Sequence, residues 1–416
     1  MLSRWQWIMR RIGRSLRLRV ILFSIAAIAT GLAGLVLDEF IPSDWSAHIG
    51  SGAVSSLLEI IATSMLAVTT FSLNIMTGAL GTATSNVTPR ATRLLIEDST
   101  SQTVLGTFIG SFIYAVVGII ALNAGLYGNG GRLVQFAVTL AVIGVIVVTL
   151  ISWIDYLTRI GRVSDTAARV ETAAAKALRD RISHPCLGGR PLRPGAIPSD
   201  ARPLMTPETG YLTFIDMEAL STWTKNAEGT VWVTQLPGAF MDPTKPLAYL
   251  RAGKEDAPDD PLDAFSVDAN RTYDQDPRFG LCVLAEIASR ALSPAVNDPG
   301  TAIEVIGRVQ RILSLWAEYE PRKQDHDGEI EFDDVFVPPL DCDDLLDDTY
   351  APISRDGAGL IEVQLRLQKS LATLSRLGSP ALASAARRQS RHALQRANAA
   401  LGLEHERERL AQAAAL

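Results

Sequence analysis

A polar stripe runs along one face of a long apolar segment, Leu57–Leu80, and its side chains are the first candidates for chemistry. At 100° per residue, a carboxylate, an amide and three hydroxyls fall within about 100° of one another. These residues are Glu59, Thr63, Thr70, Asn74 and Thr77. A carboxylate and an amide are costly in hydrocarbon unless they face protein or water. The stripe is therefore predicted to face away from lipid.

Two interpretations of this polar stripe are open. In the first it is a helix–helix seam, in which the hydroxyls and the amide bond to neighbouring helices. In the second, several copies of the helix surround a water-filled path, with Glu59 near its outer mouth. One chain offers few spans for enclosing such a path. The second interpretation therefore requires a homo-oligomer, and it makes permeant ions partners of the protein.

A turn in the C-terminal half contains a second group of polar candidates. It follows a predicted helix, Phe279–Leu292, and precedes another that begins at Pro299. Its candidates are Ser293, Asn297 and Asp298. Either they only cap the turn, or they bind an anion or contact another subunit beside the exposed N–H groups of the next helix.

Enzymes, cofactor carriers and nucleic-acid binders are disfavoured by the residue patterns. We find no nucleophile–base arrangement, no phosphate-binding glycine loop and no metal-ligand spacing, so we expect no catalytic activity, cofactor or metal. Nucleic-acid binders concentrate basic residues on their soluble part. Here, eleven acidic residues and no Lys or Arg lie between Asp325 and Asp348, which predicts an acidic surface loop over 325–348.

Four apolar segments meet or approach the roughly 20 residues that a transmembrane helix needs. They are Val20–Leu37, Leu57–Leu80, Thr103–Leu126 and Leu133–Ile154. They predict an N-terminal four-helix membrane domain over 1–158. In the third segment, Gly106 and Gly110 have the G-x-x-x-G spacing that lets two helix backbones approach closely.

The charges around these segments predict that both termini lie in the cytoplasm. Six arginines and no acidic residue occur in the first 19 positions, whereas the loop 38–50 has three acidic residues and no Lys or Arg. Basic residues near span ends stay on the cytoplasmic side. The protein is thus expected to be a multi-pass protein in contact with the lipid bilayer.

The rest of the chain is predicted to be a cytoplasmic α+β region. A stalk helix over Ile160–Ile182 continues from the fourth span, and with a Pro/Gly-rich linker it occupies 159–207. A small β-module follows over 208–253, since Gly210–Asp216 and Thr230–Gln235 alternate as strands do. A mainly helical domain over 254–416 completes the prediction. The fold class is therefore membrane α-helical with a cytoplasmic α+β domain.

Several short motifs resemble those of a bacterial family of predicted membrane proteins that carries a domain of unknown function. They are Thr88-Pro89-Arg90, Gly210-Tyr211, Arg271-Thr272 with Asp276, and the stretch from Ala291 to Pro299. The resemblance implies a four-span architecture in the bacterial inner membrane and no particular activity. From the polar stripe we expect an oligomeric ion channel gated by the cytoplasmic domain. The alternative is a non-conducting, membrane-anchored sensor or scaffold.

Overall fold

The structure, a computed structural model, describes residues 16–37, 51–96, 98–256, 258–322, 330–377 and 379–414. These residues form two compact units. The apolar unit contains the described residues up to Ser85 together with Thr92–Asp165, and the C-terminal unit contains Asn86–Ala91 and the described residues from Thr166 onward. The N-terminal arginines up to Arg14, the loop 38–50 and positions 325–329 of the predicted acidic loop lie outside the described residues.

Helices make up the apolar unit. They are α1 (Leu16–Leu37), α2 (Ser51–Asn86), the short α3 (Pro89–Ile96, which begins in the C-terminal unit), α4 (Ser99–Asn123) and α5 (Asn129–Arg159). Among the described residues, three stretches are long and apolar enough to cross a membrane: Gly52–Thr82, Ser99–Asn123 and Gly130–Arg159. They coincide with the second, third and fourth predicted spans. In α1 the apolar stretch Val20–Thr30 is shorter than a span, so the first predicted span, and with it the total of four, stays a prediction.

The core of the apolar unit lies among α2, α4 and α5. Leu58 of α2, Phe108 of α4 and Trp153 of α5 are buried in one hydrophobic cluster. Gly118 of α4 lies against both other helices, since a Cβ there would be 2.6 Å from Gln135 Nε2 and 3.0 Å from Leu58 Cδ1. A small residue at this position lets the three helices pack closely.

The C-terminal unit combines helices with eight short strands. Its helices are α6 (Val163–Ser183, which begins in the apolar unit), α7 (Met217–Ala227), α8 (Pro277–Ala291), α9 (Pro299–Arg322), α10 (Cys342–Asp356), α11 (Ile361–Leu377), α12 (Pro380–Ala400) and α13 (Glu404–Ala414). Its strands are β1 (Gly189–Pro191), β2 (Arg202–Met205), β3 (Gly210–Ile215), β4 (Thr230–Val233), β5 (Phe240–Met241), β6 (Pro246–Arg251), β7 (Phe265–Asp268) and β8 (Phe332–Val337).

The strands form two sheets. The larger has the order β1-β8-β4-β6-β2, with β8 parallel to both β1 and β4 and the remaining pairs antiparallel. The smaller is antiparallel, with the order β5-β3-β7. Strands from 189 to 337 thus contribute to the sheets, whereas the sequence confines the β-module to 208–253. Parallel pairs join segments that are distant along the chain, and local patterns do not reveal such partners.

The predicted acidic loop over 325–348 contains regular structure where it is described. Strand β8 buries Val335 and Val337, and α10 begins at Cys342. Acidic residues in the first turns of α10 pair with basic residues: Asp348 is 2.6 Å from Arg278 Nε, and Asp344 also contacts Arg278. The prediction of a solvated loop is wrong for this part. Some of its acidic residues flank the buried side chains of a strand, and others cap a packed helix or form ion pairs from it.

The predicted stalk is a packed helix instead of a continuation of the last span. Helix α5 ends at Arg159, and Gly161 adopts φ +84° in the left-handed region before α6 begins at Val163. Within the C-terminal unit, α6 buries Val170, Ala174 and Leu178. A Cβ at Gly280 of α8 would be 2.9 Å from Ala174 Cα, so the two helices pack at close range.

Glu171 joins α6 to α9 through two arginines. Its carboxylate is 2.6 Å from Arg308 Nη1 and 2.7 Å from Arg311 Nε, and Arg308 also pairs with Glu304. Burial opposes ionisation of Glu171, but the guanidinium groups of Arg311 and Arg308 outweigh it and hold its pKa below the usual value. The ion pairs of Glu171 with Arg308 and Arg311 therefore stabilise the fold only while Glu171 is ionised.

Glu171→Gln is expected to destabilise the C-terminal unit at pH 7 by about 1–3 kcal/mol, because hydrogen bonds to a charged group are lost. Since the pKa is lower in the folded state, this stabilisation is complete above the unfolded pKa of about 4.3 and disappears as pH falls through the folded pKa. Thermal unfolding of the detergent-solubilised protein measures this effect. The difference in unfolding temperature between the variant and wild type should shrink as the pH is lowered from 7 to 3. Glu318→Gln, which removes an exposed carboxylate of α9, is the control. A pH-independent difference would contradict the prediction.

Candidate functional site

The polar stripe of α2 lies on the exposed side of the apolar unit. Its five residues (Glu59, Thr63, Thr70, Asn74 and Thr77) are all exposed in the chain. On the opposite side of the same helix, Leu58, Ile61, Met65 and Ser72 are buried. The described helices of one chain therefore cover one side of α2 and leave uncovered the side that carries the polar stripe, where Leu66 and Leu73 are exposed as well.

The hydroxyl groups of the stripe bond within their own helix. Thr63 donates to the Glu59 carbonyl at 2.9 Å, and Thr77 donates to the Leu73 carbonyl at 2.8 Å. Thr70 does the same with the carbonyl four residues before it. The Glu59 carboxylate accepts a long bond of 3.4 Å from Ser55. Asn74 has no hydrogen-bond partner among the described residues. The stripe thus presents one carboxylate and one amide that neighbouring helices of the same chain do not engage.

Gly106 and Gly110 of α4 face α1. A Cβ at Gly106 would be 2.9 Å from Phe23 Cδ2, and a Cβ at Gly110 would be 3.3 Å from the Phe23 carbonyl oxygen. The two glycines therefore create the space that the Phe23 ring and backbone occupy. Their contact is made within the chain, with the helix where the sequence predicts the first span.

Arg271 and Asp276 form a buried pair at the start of α8. The Asp276 side chain is only 2% exposed, and its Oδ2 is 2.8 Å from Arg271 Nε. Its Oδ1 accepts from the Phe279 N–H at 3.1 Å, which caps the helix. Gly238, at φ +104°, lies against this carboxylate, so a Cβ there would collide with it. The motif residues Arg271 and Asp276 therefore fix the beginning of α8.

The Thr88-Pro89-Arg90 segment docks on α8 through Glu286. Thr88 Oγ1 donates to Glu286 Oε2 at 2.8 Å, and Arg90 Nη1 lies 2.6 Å from Glu286 Oε1. Val87 and Ala91 on either side are fully buried. This segment belongs to the C-terminal unit, although the chain enters it directly from α2 and returns from it to the apolar unit. We call Thr88, Arg90 and Glu286 the Glu286 clamp.

The turn between α8 and α9 is held by local hydrogen bonds. Asp298 accepts from the Thr301 N–H at 3.0 Å and from the Thr301 hydroxyl at 2.6 Å. These bonds hold the pKa of Asp298 below its usual value. Ser293 donates to the Arg290 carbonyl at 2.7 Å, and Asn297 adopts φ +49°. All three predicted residues therefore have local roles in the turn, whereas a ligand or a subunit contact there stays a prediction.

Two residues with buried or long-range contacts, Glu286 and Arg181, have no sequence pattern that would identify them. Glu286 lies in the middle of a helix and its partners are nearly 200 residues earlier in the chain. Arg181 lies near the end of α6 among other charged residues, yet it is only 5% exposed. Only the tertiary fold distinguishes either from an ordinary solvated charge.

A comparison against protein families supports the resemblance that the short sequence motifs indicate. The model of the family described as "Predicted membrane protein (DUF2254)" matches residues 13–373. The chain belongs to this family. The resemblance inferred from the short motifs is therefore confirmed, and it identifies a membrane protein whose apolar helices lie in contact with lipid.

Similar proteins occur in mycobacteria. The chain is 29% identical over 276 residues to "Uncharacterized protein MT1328" and "Uncharacterized protein Rv1290c" of Mycobacterium tuberculosis and to "Uncharacterized protein Mb1321c" of Mycobacterium bovis. Each match covers 63% of this chain and 52% of the relative, so the chain spans about half the length of these relatives. No solved structure matches the chain.

Proposed function

We propose that this DUF2254 protein is a homo-oligomeric ion channel of the bacterial inner membrane, with the polar stripe of α2 lining a water-filled path. The observation that carries the proposal is the exposure of Glu59 and Asn74 on one side of a candidate span. Carboxylates and amides are costly in hydrocarbon, so polar side chains in spans generally face protein or water. Because the described helices leave the stripe uncovered, we infer that other copies or water cover it.

The architecture of the apolar unit supports an oligomer. Three or four spans do not surround a path by themselves, whereas several copies of α2 around an axis do. We include α1 as the fourth span, because a helix of 22 residues is about 33 Å long and the hydrocarbon core is about 30 Å thick. With four spans and basic residues at the N-terminus, both termini lie in the cytoplasm.

The Glu286 clamp supports gating by the C-terminal unit. It holds the segment that directly follows α2, and the same segment leads into α3 and α4. A rearrangement of α8 would therefore pull on the inner end of the helix that lines the path. The alternative, a non-conducting sensor or scaffold, would use the same connection without a path.

Ion flux into liposomes containing the purified protein tests the proposal. Asn74→Leu is expected to reduce the flux about ten-fold or more, because an apolar constriction excludes water. Glu59→Gln is expected to reduce the preference for cations. Ser72→Ala is the matched control, since Ser72 lies on the buried side of α2 and its loss should leave the flux unchanged.

Three outcomes would contradict the channel. The first is an absence of flux from a folded oligomer under all ionic conditions, which favours the scaffold. The second is a folded monomer in the membrane. The third is an equal loss of flux in Ser72→Ala and Asn74→Leu, because the path would then not follow the polar stripe.

A further inference from the structure

A small cavity in the C-terminal unit has the features of an anion site. Its volume is about 100 Å³, and it lies between the end of α6, the turn that follows it, α9 and the segment after β8. Its lining includes Arg181, Trp316 and Tyr319 together with Pro185, Pro339 and Leu340. The wall is thus mostly apolar, with few polar groups.

Two residues that line this cavity carry buried N–H donors without an acceptor. Arg181 is 5% exposed and Trp316 is 8% exposed. Among the described residues, neither Arg181 Nη1 nor Trp316 Nε1 has a hydrogen-bond partner. Leaving a buried donor unpaired costs about 1–3 kcal/mol, and native proteins rarely do so without a reason. Two such donors on one cavity indicate a missing acceptor.

The charge around Arg181 is also unbalanced. Its Nη2 donates to the Gln275 carbonyl at 3.1 Å, which satisfies a hydrogen bond but supplies no negative charge. The carboxylate that attracts it is Asp276, which is already paired with Arg271. Burial lowers the pKa of Arg181 to about 10, so the side chain remains charged at neutral pH. Two guanidinium groups therefore share one buried carboxylate.

The backbone beside the cavity is strained. Cys186, which lines it, and Leu187 adopt φ +49° and +56° in the left-handed region. Residues with a side chain adopt this conformation at a cost of about 1–2 kcal/mol each. Strain of this kind concentrates at ligand-binding positions, where the surrounding structure holds it.

We propose that this cavity binds a small organic carboxylate, with Arg181 Nη1 and Trp316 Nε1 donating to its oxygens. The carbon chain would lie against Pro339 and Leu340. A cavity of about 150 Å³ holds benzene, so this smaller one suits a ligand of roughly four or five heavy atoms, such as acetate or propionate. The apolar wall favours a carboxylate with a carbon chain over phosphate or chloride, because it cannot replace their hydration. This assignment does not depend on ion conduction.

Calorimetric titration of the full-length protein in detergent with sodium propionate and sodium acetate tests the assignment. Saturable binding of propionate is expected, with no binding of chloride or phosphate at equal ionic strength. Trp316→Phe keeps an aromatic ring at this position, removes one donor and should weaken binding about ten-fold. Arg181→Met should abolish it. Trp223→Phe is the matched control, because Trp223 does not line this cavity. Its Nε1 already donates to the Asp259 carbonyl at 3.1 Å.

Three results would overturn the assignment. One is no saturable binding of acetate or propionate to the wild-type protein. Another is wild-type affinity in Trp316→Phe, a variant whose fold can be checked by its unfolding temperature even if Arg181→Met does not fold. The third is binding of phosphate or chloride as strong as that of propionate, which would remove the carboxylate as the ligand class.

Discussion

Asp276→Ala is expected to destabilise the C-terminal unit by about 3–5 kcal/mol, because it removes one partner of a buried ion pair. The Asp276 side chain is 2% exposed and that of Arg271 is 20% exposed, so the guanidinium would be left without a counter-charge. Arg181, which is attracted by the same carboxylate, would lose that attraction as well. The helix cap at Phe279 would be lost in the same step.

Denaturant unfolding in detergent, followed by fluorescence of the tryptophans in this unit, measures the effect. Asp298→Ala is the matched control, because Asp298 also caps a helix with its carboxylate but is exposed. Loss of an exposed cap costs about 1 kcal/mol. Similar losses in the two variants would show that the pair with Arg271 contributes nothing beyond capping. The loss of stability in Asp276→Asn should lie between those of Asp276→Ala and Asp298→Ala, since asparagine keeps the cap and loses the charge.

Glu286→Gln is expected to release the segment between α2 and α3 from the C-terminal unit. The change keeps the size of the side chain but removes the charge that Arg90 contacts at 2.6 Å. Because the Arg90 side chain is 59% exposed, solvent screens part of that interaction. The buried Thr88 hydroxyl also loses a charged acceptor. Amide hydrogens at 87–91 should therefore exchange about ten-fold faster.

Hydrogen exchange measured by mass spectrometry on the detergent-solubilised protein tests this prediction. Arg290→Gln, which changes an exposed charge on the same helix, should leave the exchange at 87–91 unchanged. Unchanged exchange in Glu286→Gln would show that the buried Val87 and Ala91 hold the segment without the clamp. If the C-terminal unit gates a channel, the same variant should also alter ion flux in liposomes.

The local elements of the fold follow from patterns in the sequence. The helix predicted over 279–292 is α8, and Asp298 with Pro299 starts α9 as its residue types require. The strands predicted at 210–216 and 230–235 are β3 and β4. In each case neighbouring residues determine the structure, through apolar periodicity or a cap, so the sequence alone is sufficient.

Distant pairings could not be predicted in the same way. Strand β8 inserts between β1 and β4, although its residues 332–337 lie in the most acidic part of the chain. In this strand the buried positions are only Val335 and Val337. Such a short apolar alternation does not predict a strand among so many acidic residues. For the polar stripe, periodicity defines which residues share a side of α2, but only the packing shows that this side is uncovered within one chain.

The position of Asn86–Ala91 has a consequence for biosynthesis. This short piece of the C-terminal unit leaves the ribosome long before its partner, since Glu286 follows Arg90 by 196 residues. At about 5–20 residues per second, translation alone separates the two by about 10–40 s. During that interval the buried residues of the segment have no site to occupy. The C-terminal unit therefore cannot be completed from a fragment that begins after the last apolar helix, and its folding in the cell must wait for two parts of the chain made at different times.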